Sequence, residues 1–276
     1  MSTTVDTVPN VHARGNDGWH KAWPLRKSAL VVLAEGAAAM LVVWSAAGLL
    51  LVKVLDDGPV GDADRWVNRW FADHRTATWN TLTEYGSMLA ETLVKVTLVA
   101  VASAVMIFLW RRWHDAVFLV VAVSLEALVF VLTSFIVDRD RPPVSHLDTV
   151  PPSGSFPSGH SGAAVAFYGA LFVIVCWHTR KAAVRWIFGV LAVIVPLIVA
   201  TSRVYRGMHH PIDVAAGLLL GAVAVFVARA AIAAGVREID RRDEGNALPD
   251  RVRRLDLTTP EPDSVAGSLH PAGAPR

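Results

Sequence analysis

The sequence predicts an all-α protein, a polytopic membrane helix bundle with six transmembrane helices. Of its 276 residues, 53% are apolar and only 18% are charged, below the roughly 25% that is typical of soluble domains. The mean hydropathy is +0.42. The apolar residues also come in long blocks almost free of charge, and a helix needs about 20 such residues to cross a bilayer. These observations exclude a soluble fold, an all-β sandwich and a disordered chain.

Six apolar blocks define the predicted spans. Each must be helical, because lipid offers no partner to the polar groups of the backbone. Glu35, Glu91, Lys95 and Glu126 interrupt the first three blocks, and charges at such depth should face protein or water. They either line a cavity for a headgroup or brace contacts between helices, and the sequence leaves both alternatives open. The blocks are 28–52, 86–110, 116–137, 161–177, 186–202 and 211–228.

The chain divides into three predicted regions: a polar tail at 1–27, a six-span domain at 28–235, and a tail at 236–276. The last region is rich in charge, Pro and Gly and is predicted to be disordered. In the link 53–85, the segment Arg65–Phe71 predicts a short amphipathic helix at the membrane interface, or else an ordinary loop helix. The lone cysteine, Cys176, excludes an intrachain disulfide and is expected to be a buried, inert thiol.

The distribution of Lys and Arg predicts the orientation in the membrane. If both termini are cytoplasmic, seventeen of these residues lie on the cytoplasmic side and eight on the opposite side. Such an excess is typical of cytoplasmic connections. We therefore expect a multi-pass protein of the cell membrane with both termini in the cytoplasm. The net charge of +2 is too small to indicate a nucleic-acid partner.

Three clusters of polar residues follow or precede the apolar blocks. In a six-span bundle all three fall on the same side, opposite the termini, so their side chains are expected to meet at one membrane face. The clusters are Asp138–Pro143, Ser155–His160 and Ser202–Asp213.

Part of this set is suited to binding an anion. The guanidinium groups of Arg141 and Arg203 match phosphate oxygens and keep their charge. Ser158 and Gly159 open a helix, whose free N–H groups and positive end favour an anion. Each residue also has a simpler interpretation: the arginines anchor to lipid headgroups, and the Ser-Gly pair forms only a turn and a helix cap.

The remaining residues of the set are suited to group transfer. A histidine acts as a nucleophile or as a general acid near neutral pH, and His160 and His209 are the candidates. Asp213 lies four residues after His209, on the same helical face, where a carboxylate can orient an imidazole. Asp213 could instead only complement the helix dipole, and His210 is expected to be structural. Together the clusters indicate phosphoryl transfer to a histidine.

These motifs resemble those of the type-2 phosphatidic acid phosphatases, which share a phosphatase core with vanadium haloperoxidases. The family pattern is Lys-x6-Arg-Pro, then Pro-Ser-Gly-His, then Ser-Arg-x5-His-x3-Asp. The second motif is complete at residues 157–160, and the third is complete from Ser202 to Asp213. The first matches at Arg141-Pro142, but Ser134 stands at the position of its lysine. The resemblance covers residues 134–213.

The resemblance implies a role for each matching residue. His209 is expected to be the nucleophile that forms a phosphohistidine, oriented by Asp213, and His160 the acid that protonates the leaving lipid oxygen. The phosphate would be bound by four residues, and neither a metal nor another cofactor is implied. These four are Arg141, Ser158, Gly159 and Arg203.

The missing lysine removes a positive charge that the family places on a phosphate oxygen. Ser134 keeps a hydrogen-bond donor, but its neutral hydroxyl stabilises a transition state less well. Arg139 and Lys95 are two hypothetical substitutes. For Lys95 the alternative is an ordinary i,i+4 pair with Glu91.

The sequence thus predicts an integral membrane phosphatase that acts on a lipid phosphomonoester or diphosphate at the outer face. Phosphatidic acid, phosphatidylglycerophosphate and a polyprenyl diphosphate are the candidate substrates. The alternatives are a lipid phosphotransferase with the same site, and a catalytically weak lipid-binding or transport protein. The expected partners are the lipid substrate and membrane lipids, and the sequence does not set the oligomeric state.

Overall fold

The computed structural model describes residues 23–89 and 91–256, with side chains as far as residue 242. Within these residues the secondary structure consists of eight α-helices and no strands. The chain divides after Val236 into two compact units. The helices are α1 (Lys27–Leu50), α2 (Pro59–Asp73), α3 (Ala77–Met88), α4 (Thr92–Ala104), α5 (Trp113–Val137), α6 (Gly159–His178), α7 (Ala182–Tyr205) and α8 (Pro211–Asp256). One π-helical turn extends α1 to Leu55, and another extends α4 to Leu109.

Six of the helices are long and apolar enough to cross a membrane, which confirms the predicted fold class. They are Lys27–Leu55, Thr92–Leu109, Trp113–Val137, Gly159–His178, Ala182–Tyr205 and Pro211–Arg242. The second differs from its prediction, because the block 86–110 is not one helix. The backbone of Glu91 is extended, so α3 ends at Met88 and α4 begins at Thr92.

The middle of the bundle is formed by α6, which packs against α5 on one side and α7 on the other. Phe118 and Leu119 of α5 are fully buried, as are Ala166 and Ala170 of α6. Small residues such as these alanines let membrane helices approach closely, which increases their van der Waals contact. The close packing fixes the ends of α5 and α6, from which two of the three polar clusters emerge.

The link between α1 and α4 contains the predicted amphipathic helix, and α2 extends beyond it on both sides, chiefly toward its N-terminus at Pro59. Trp66 and Trp70 are exposed, whereas Asp64 and Asn68, which alternate with them, are buried. The buried stripe of α2 is therefore polar. It lies against the turn between α7 and α8, to whose backbone it is hydrogen-bonded.

The last helix continues further than the sequence predicts. The sequence predicts a disordered tail from residue 236; within the described residues α8 is helical to Asp256, and the rest of that prediction stays a prediction. An i,i+4 ion pair between Arg242 and Glu238, 2.7 Å long, supports the helix there. Residues 1–22 and 257–276, which include most of the predicted N-terminal tail, lie outside the described residues. Cys176 is half-buried in α6.

Candidate active site

The three polar clusters converge where α5 ends, α6 begins and α7 connects to α8, and we call this region the site end of the bundle. The backbone N–H of Ser158 donates to the carbonyl of Asp213 at 2.9 Å. Arg141 Nη1 donates to the carbonyl of Met208 at 2.6 Å. These bonds join the second and first clusters to the third, as the topology predicted.

A tight turn between α7 and α8 presents the third cluster. Gly207 has a φ of 75°, a left-handed backbone conformation that residues other than glycine rarely adopt. A Cβ atom there would also lie 2.9 Å from the carbonyl oxygen of Ser145. The turn thus requires glycine, and it places His209 two residues later, just before α8 begins at Pro211.

The ring of His209 is buried and fixed by the backbone. Its Nδ1–H donates to the carbonyl of Ser155 at 2.8 Å, which leaves Nε2 as the nitrogen that carries the lone pair. No described residue hydrogen-bonds Nε2. The carboxylate of Asp213 is 3.9 Å from Nδ1, beyond hydrogen-bond distance. A carbonyl therefore orients the ring in this structure, and Asp213 acts on it through its charge.

The electrostatic surroundings keep His209 neutral. Burial, together with the positive charges of Arg203 and Arg141, holds the pKa of His209 well below its usual value, although the negative charge of Asp213 opposes this shift. A neutral imidazole with a free Nε2 can attack phosphorus without first losing a proton.

Asp213 itself is fully buried and caps α8. Its Oδ2 accepts a hydrogen bond from the backbone N–H of His210 at 2.9 Å, and the ring Nδ1 of His210 lies 3.3 Å away. Its Oδ1 accepts from Arg139 Nη1 at 2.7 Å. A carboxylate in the first turn that bonds back to the N-cap N–H is the geometry of a capping box. The contacts of Asp213 are thus those of a helix cap. The same carboxylate also holds His210.

The two predicted phosphate-binding arginines are held by the protein but retain unused donors. Arg203 Nη1 donates to Ser87 Oγ and to Asp148 Oδ2, each at 2.7 Å. Arg141 also donates to the carbonyl of Ser153 at 3.2 Å. Within the described part of the chain, the buried Nε of each arginine lacks a partner. Each guanidinium thus keeps a donor that the protein does not use, and guanidinium donors are suited to phosphate oxygens.

Asp148 is a site residue that the motifs did not indicate. It bridges Arg203 and Arg206, whose Nε donates to Asp148 Oδ1 at 2.8 Å. Burial by itself would raise the pKa of Asp148, but the two arginines together lower it below its usual value. An ionised carboxylate therefore neutralises part of the arginine charge. In the sequence, Asp148 is only one of three acids in the link between α5 and α6, and nothing in its spacing pairs it with Arg203 or Arg206.

The start of α6 agrees only in part with the prediction that Ser158 and Gly159 bind a phosphate. The N–H of Ser158 is already bonded to Asp213, and its Oγ lies 3.1 Å from Ser161 Oγ, so it offers no backbone donor to a phosphate. Gly159 is required by packing, since a Cβ would lie 2.7 Å from the ring of Phe130. His160 lies on the first turn of α6, and no described residue hydrogen-bonds its ring.

The hypothesis that Arg139 substitutes for the family lysine is wrong. Arg139 is buried and pairs with three carboxylates, those of Asp213, Asp56 and Asp64, at 2.7, 2.7 and 3.0 Å. Burial would lower the pKa of Arg139, but these carboxylates raise it. Its charge is therefore already compensated inside the protein. Ser134 is buried too, and its Oγ donates to the carbonyl of Val131 at 2.9 Å.

Among the described residues, no group of three or more His, Cys, Asp or Glu side chains is placed to hold a metal ion. The buried acids Asp64 and Asp213 surround the guanidinium of Arg139 instead.

Comparison with known proteins agrees with the motifs. A model of the PAP2 superfamily matches residues 115–236. The chain is 29% identical over 189 residues to phosphatidylglycerophosphatase B of Bacillus subtilis (strain 168), an alignment that covers 66% of this chain and 89% of that protein. It is 28% identical over 130 residues to the undecaprenyl-diphosphatase of Sulfolobus acidocaldarius, across 45% of this chain and 59% of that protein.

A solved structure shows the same fold. The crystal structure of a transmembrane PAP2 type phosphatidylglycerolphosphate phosphatase from Bacillus subtilis matches with a TM-score of 0.60 at 21% identity, and the match covers 74% of this chain and 96% of that one. Residues 115–236 thus match the family that the motifs predict, the solved structure shows the same fold, and the six apolar helices are those of a multi-pass membrane protein.

Proposed function

Because residues 115–236 belong to the PAP2 superfamily, we propose that this chain is a membrane phosphatase that hydrolyses a lipid phosphomonoester or diphosphate. One observation carries the proposal. The neutral ring of His209 is fixed at Nδ1 and has a free Nε2 among the charges of Arg203 and Arg141. This is the arrangement that nucleophilic attack on a bound phosphate requires.

The reaction has two steps. Nε2 of His209 attacks phosphorus, the bond to the lipid oxygen breaks, and His160 donates its proton to that oxygen. Water then attacks phosphorus and gives up a proton to His160, while the bond between phosphorus and Nε2 of His209 breaks. This step releases inorganic phosphate and restores both rings. The charge of Asp213 stabilises the positive ring of the intermediate, while Arg141, Arg203 and the N-terminal end of α6 hold the phosphate oxygens.

The position of the site favours an amphiphilic substrate. The site end lies at the ends of spanning helices, so a headgroup can reach it while the hydrocarbon tails stay in the bilayer. The names of the relatives denote a phosphatase and a diphosphatase, and both substrate classes belong to the proposal. Phosphatidic acid, phosphatidylglycerophosphate and a polyprenyl diphosphate are the substrates to test. The excess of Lys and Arg near the termini supports a site on the extracytoplasmic side.

The test is phosphate release by the purified chain from a panel of mono- and diphosphate lipids. We expect His209→Ala to reduce the rate about a thousandfold or more, because the nucleophile is lost. His146→Ala is the matched control, since this exposed histidine lies in the loop 143–150 at the same end, and it should leave the rate unchanged. An active His209→Ala variant would end the assignment of the nucleophile.

The same assay separates the alternatives. Phosphate transferred to an added alcohol in preference to water would indicate a phosphotransferase. Lipid binding without turnover would indicate a binding or transport protein. Vanadate, which mimics five-coordinate phosphorus, should inhibit the reaction, and a chelator should not. Activity that a chelator removes and a divalent cation restores would contradict the proposed metal independence.

A further inference from the structure

Lys95 lies beside the candidate site, on a helix that carries none of the three motifs. It is half-buried in α4 and lines a small cavity together with Ala163, Ala164 and Phe167 of α6. With His160, these residues have the spacing i, i+3, i+4 and i+7, which places them on one face of the helix. Lys95 therefore faces the same stripe of α6 as His160, about one turn from it.

The ammonium of Lys95 has no partner that would explain its place in a span. No ion pair or hydrogen bond joins it to any residue that the structure describes, so the alternative pair with Glu91 is not formed. An unpaired charge inside a membrane is costly and normally marks a functional site. The side chain has a flexible four-carbon stem, which can run along an apolar surface while its charged end reaches a polar region.

A second ionisable group lies at the same depth. Glu126 of α5 is fully buried, and neither of its carboxyl oxygens has a hydrogen-bond partner within the described chain. Its Oε1 packs directly against Gly162, where a Cβ atom would be only 2.4 Å away. Gly162 adjoins Ala163, which lines the same cavity as Lys95. Lys95 and Glu126 therefore approach the same part of α6, within its first two turns.

The site also lacks one positive charge, and the other candidates do not supply it. Ser134 is neutral and bonds to its own helix, and Arg139 is compensated by three carboxylates. Asp148 further reduces the charge of Arg203. A phosphate with two negative charges thus meets less positive charge here than the family pattern provides.

From this geometry we infer that Lys95 is a further phosphate-binding residue, which supplies from α4 the positive charge that the family places on α5. The ammonium extends along the shared face of α6 toward His160 and contacts a phosphate oxygen of the bound headgroup. This inference rests on the proposed function, since it concerns the same phosphate.

The test compares Lys95→Met, Lys95→Arg and the double variant Lys95→Met/Ser134→Lys with the parent protein. We expect Lys95→Met to lower kcat/KM about a hundredfold, as the loss of one donor to a transition-state oxyanion does, and to weaken inhibition by vanadate. Lys95→Arg should retain most of the activity. The double variant should recover part of it, because Ser134 occupies the family position of the lysine. Lys53→Met is the control, since Lys53 is exposed near the end of α1, and it should match the parent.

Two results would overturn the inference. One is a Lys95→Met variant with the kcat/KM and the vanadate inhibition of the parent. The other is a loss that neither Lys95→Arg nor Ser134→Lys restores, which would give Lys95 a packing role. If the parent releases no phosphate from any lipid, the proposed function fails, and vanadate binding measured by calorimetry still tests Lys95 without turnover.

Discussion

His209 shows how a single residue combines a structural bond with a chemical role. The bond from its Nδ1 to the carbonyl of Ser155 fixes both the tautomer and the direction of the ring. Because the acceptor belongs to the backbone, no substitution of a side chain removes it directly. The carboxylate of Asp213, which the motif suggests as the orienting group, instead caps α8 and pairs with Arg139.

The depressed pKa of His209 predicts the pH dependence of the reaction. A pKa below the usual 6.5 keeps the ring neutral and nucleophilic as the pH falls, so the acid limb of kcat/KM should have its midpoint below pH 6.5. Arg203 is a main cause of this shift after burial. In Arg203→Gln the shift is smaller, and the midpoint should move to higher pH while the rate falls.

The measurement is kcat/KM against pH for both proteins with the same lipid. Ionisation of the substrate then affects both profiles equally, so a difference between their midpoints comes from the enzyme. A midpoint that stays in place or moves to lower pH in Arg203→Gln would contradict the electrostatic account of His209.

The motifs identify the residues of the site but not the contacts among them. His160, His209 and the two arginines were predictable because their types and spacing match a chemistry. Asp148 and Asn68 were not, because each lies in a segment without a motif and approaches the site only in three dimensions. Arg139 was misjudged for a related reason: its three carboxylate partners come from residues as distant in sequence as Asp56 and Asp213.

At the scale of elements, α2 positions the nucleophile from a segment outside the six spans. Asn68 Nδ2 donates to the backbone carbonyl of His209 at 3.0 Å. Asp64 Oδ1 accepts from the N–H of Ile212 at 3.2 Å, and its Oδ2 pairs with Arg139. One buried polar stripe of α2 thus holds the start of α8. Asp64 and Asn68 are four residues apart on this helix, on the face opposite the exposed Trp66 and Trp70.

Removal of this contact should affect catalysis more than substrate binding. In Asn68→Ala the buried carbonyl of His209 loses its partner, a cost of about 1–3 kcal/mol, and the ring is less well fixed. We expect kcat to fall about tenfold while KM changes little. Arg69→Ala is the matched control, because Arg69 is the next residue on α2 and is exposed.

Steady-state kinetics of the two variants, together with their thermal unfolding in detergent, checks this prediction. An Asn68→Ala variant with the kcat of the parent would show that α2 does not position His209. An equal loss in Arg69→Ala would show that the effect is general to the helix.

The boundaries of the helices were less predictable than their existence. Hydropathy joined residues 86–110 into one span, because it averages over Glu91 and does not register the extended backbone there. The last helix, in contrast, extends beyond its apolar block to Asp256, because a charged segment can form either a helix or a loop. Length and apolar composition thus predict a span, whereas its ends depend on local backbone geometry.

At the scale of the whole molecule, the membrane explains why the fold could be predicted. Six apolar segments that must each satisfy their own backbone leave few arrangements besides a helical bundle. The three polar clusters lie at the links after the third and fifth spans, and alternate links fall on the same side of a membrane. The contacts that complete the site could not be predicted in the same way, because they depend on loops such as 143–155 and on the buried Asp64 and Asn68 of α2. Loop 143–155 has no periodic pattern, and the partners of the buried α2 side chains are distant from them in sequence.

The two ends of α6 should lie on opposite sides of the membrane. This helix has 20 residues, so it is roughly 30 Å long, about the thickness of the hydrocarbon core. Val150 precedes α6 and is 46% exposed, and Lys181 follows it and is also exposed. Both positions are therefore accessible to a reagent in water, each on its own side.

The orientation of the bundle gives the last prediction. The excess of Lys and Arg near the termini predicts that Val150 is on the extracytoplasmic side. In a Cys176→Ala background, which removes the lone native cysteine, Val150→Cys should react with an impermeant thiol reagent in intact cells. Lys181→Cys should react only after the membrane is opened. The reverse pattern would place the phosphate site in the cytoplasm, where it would act on lipids of the inner leaflet.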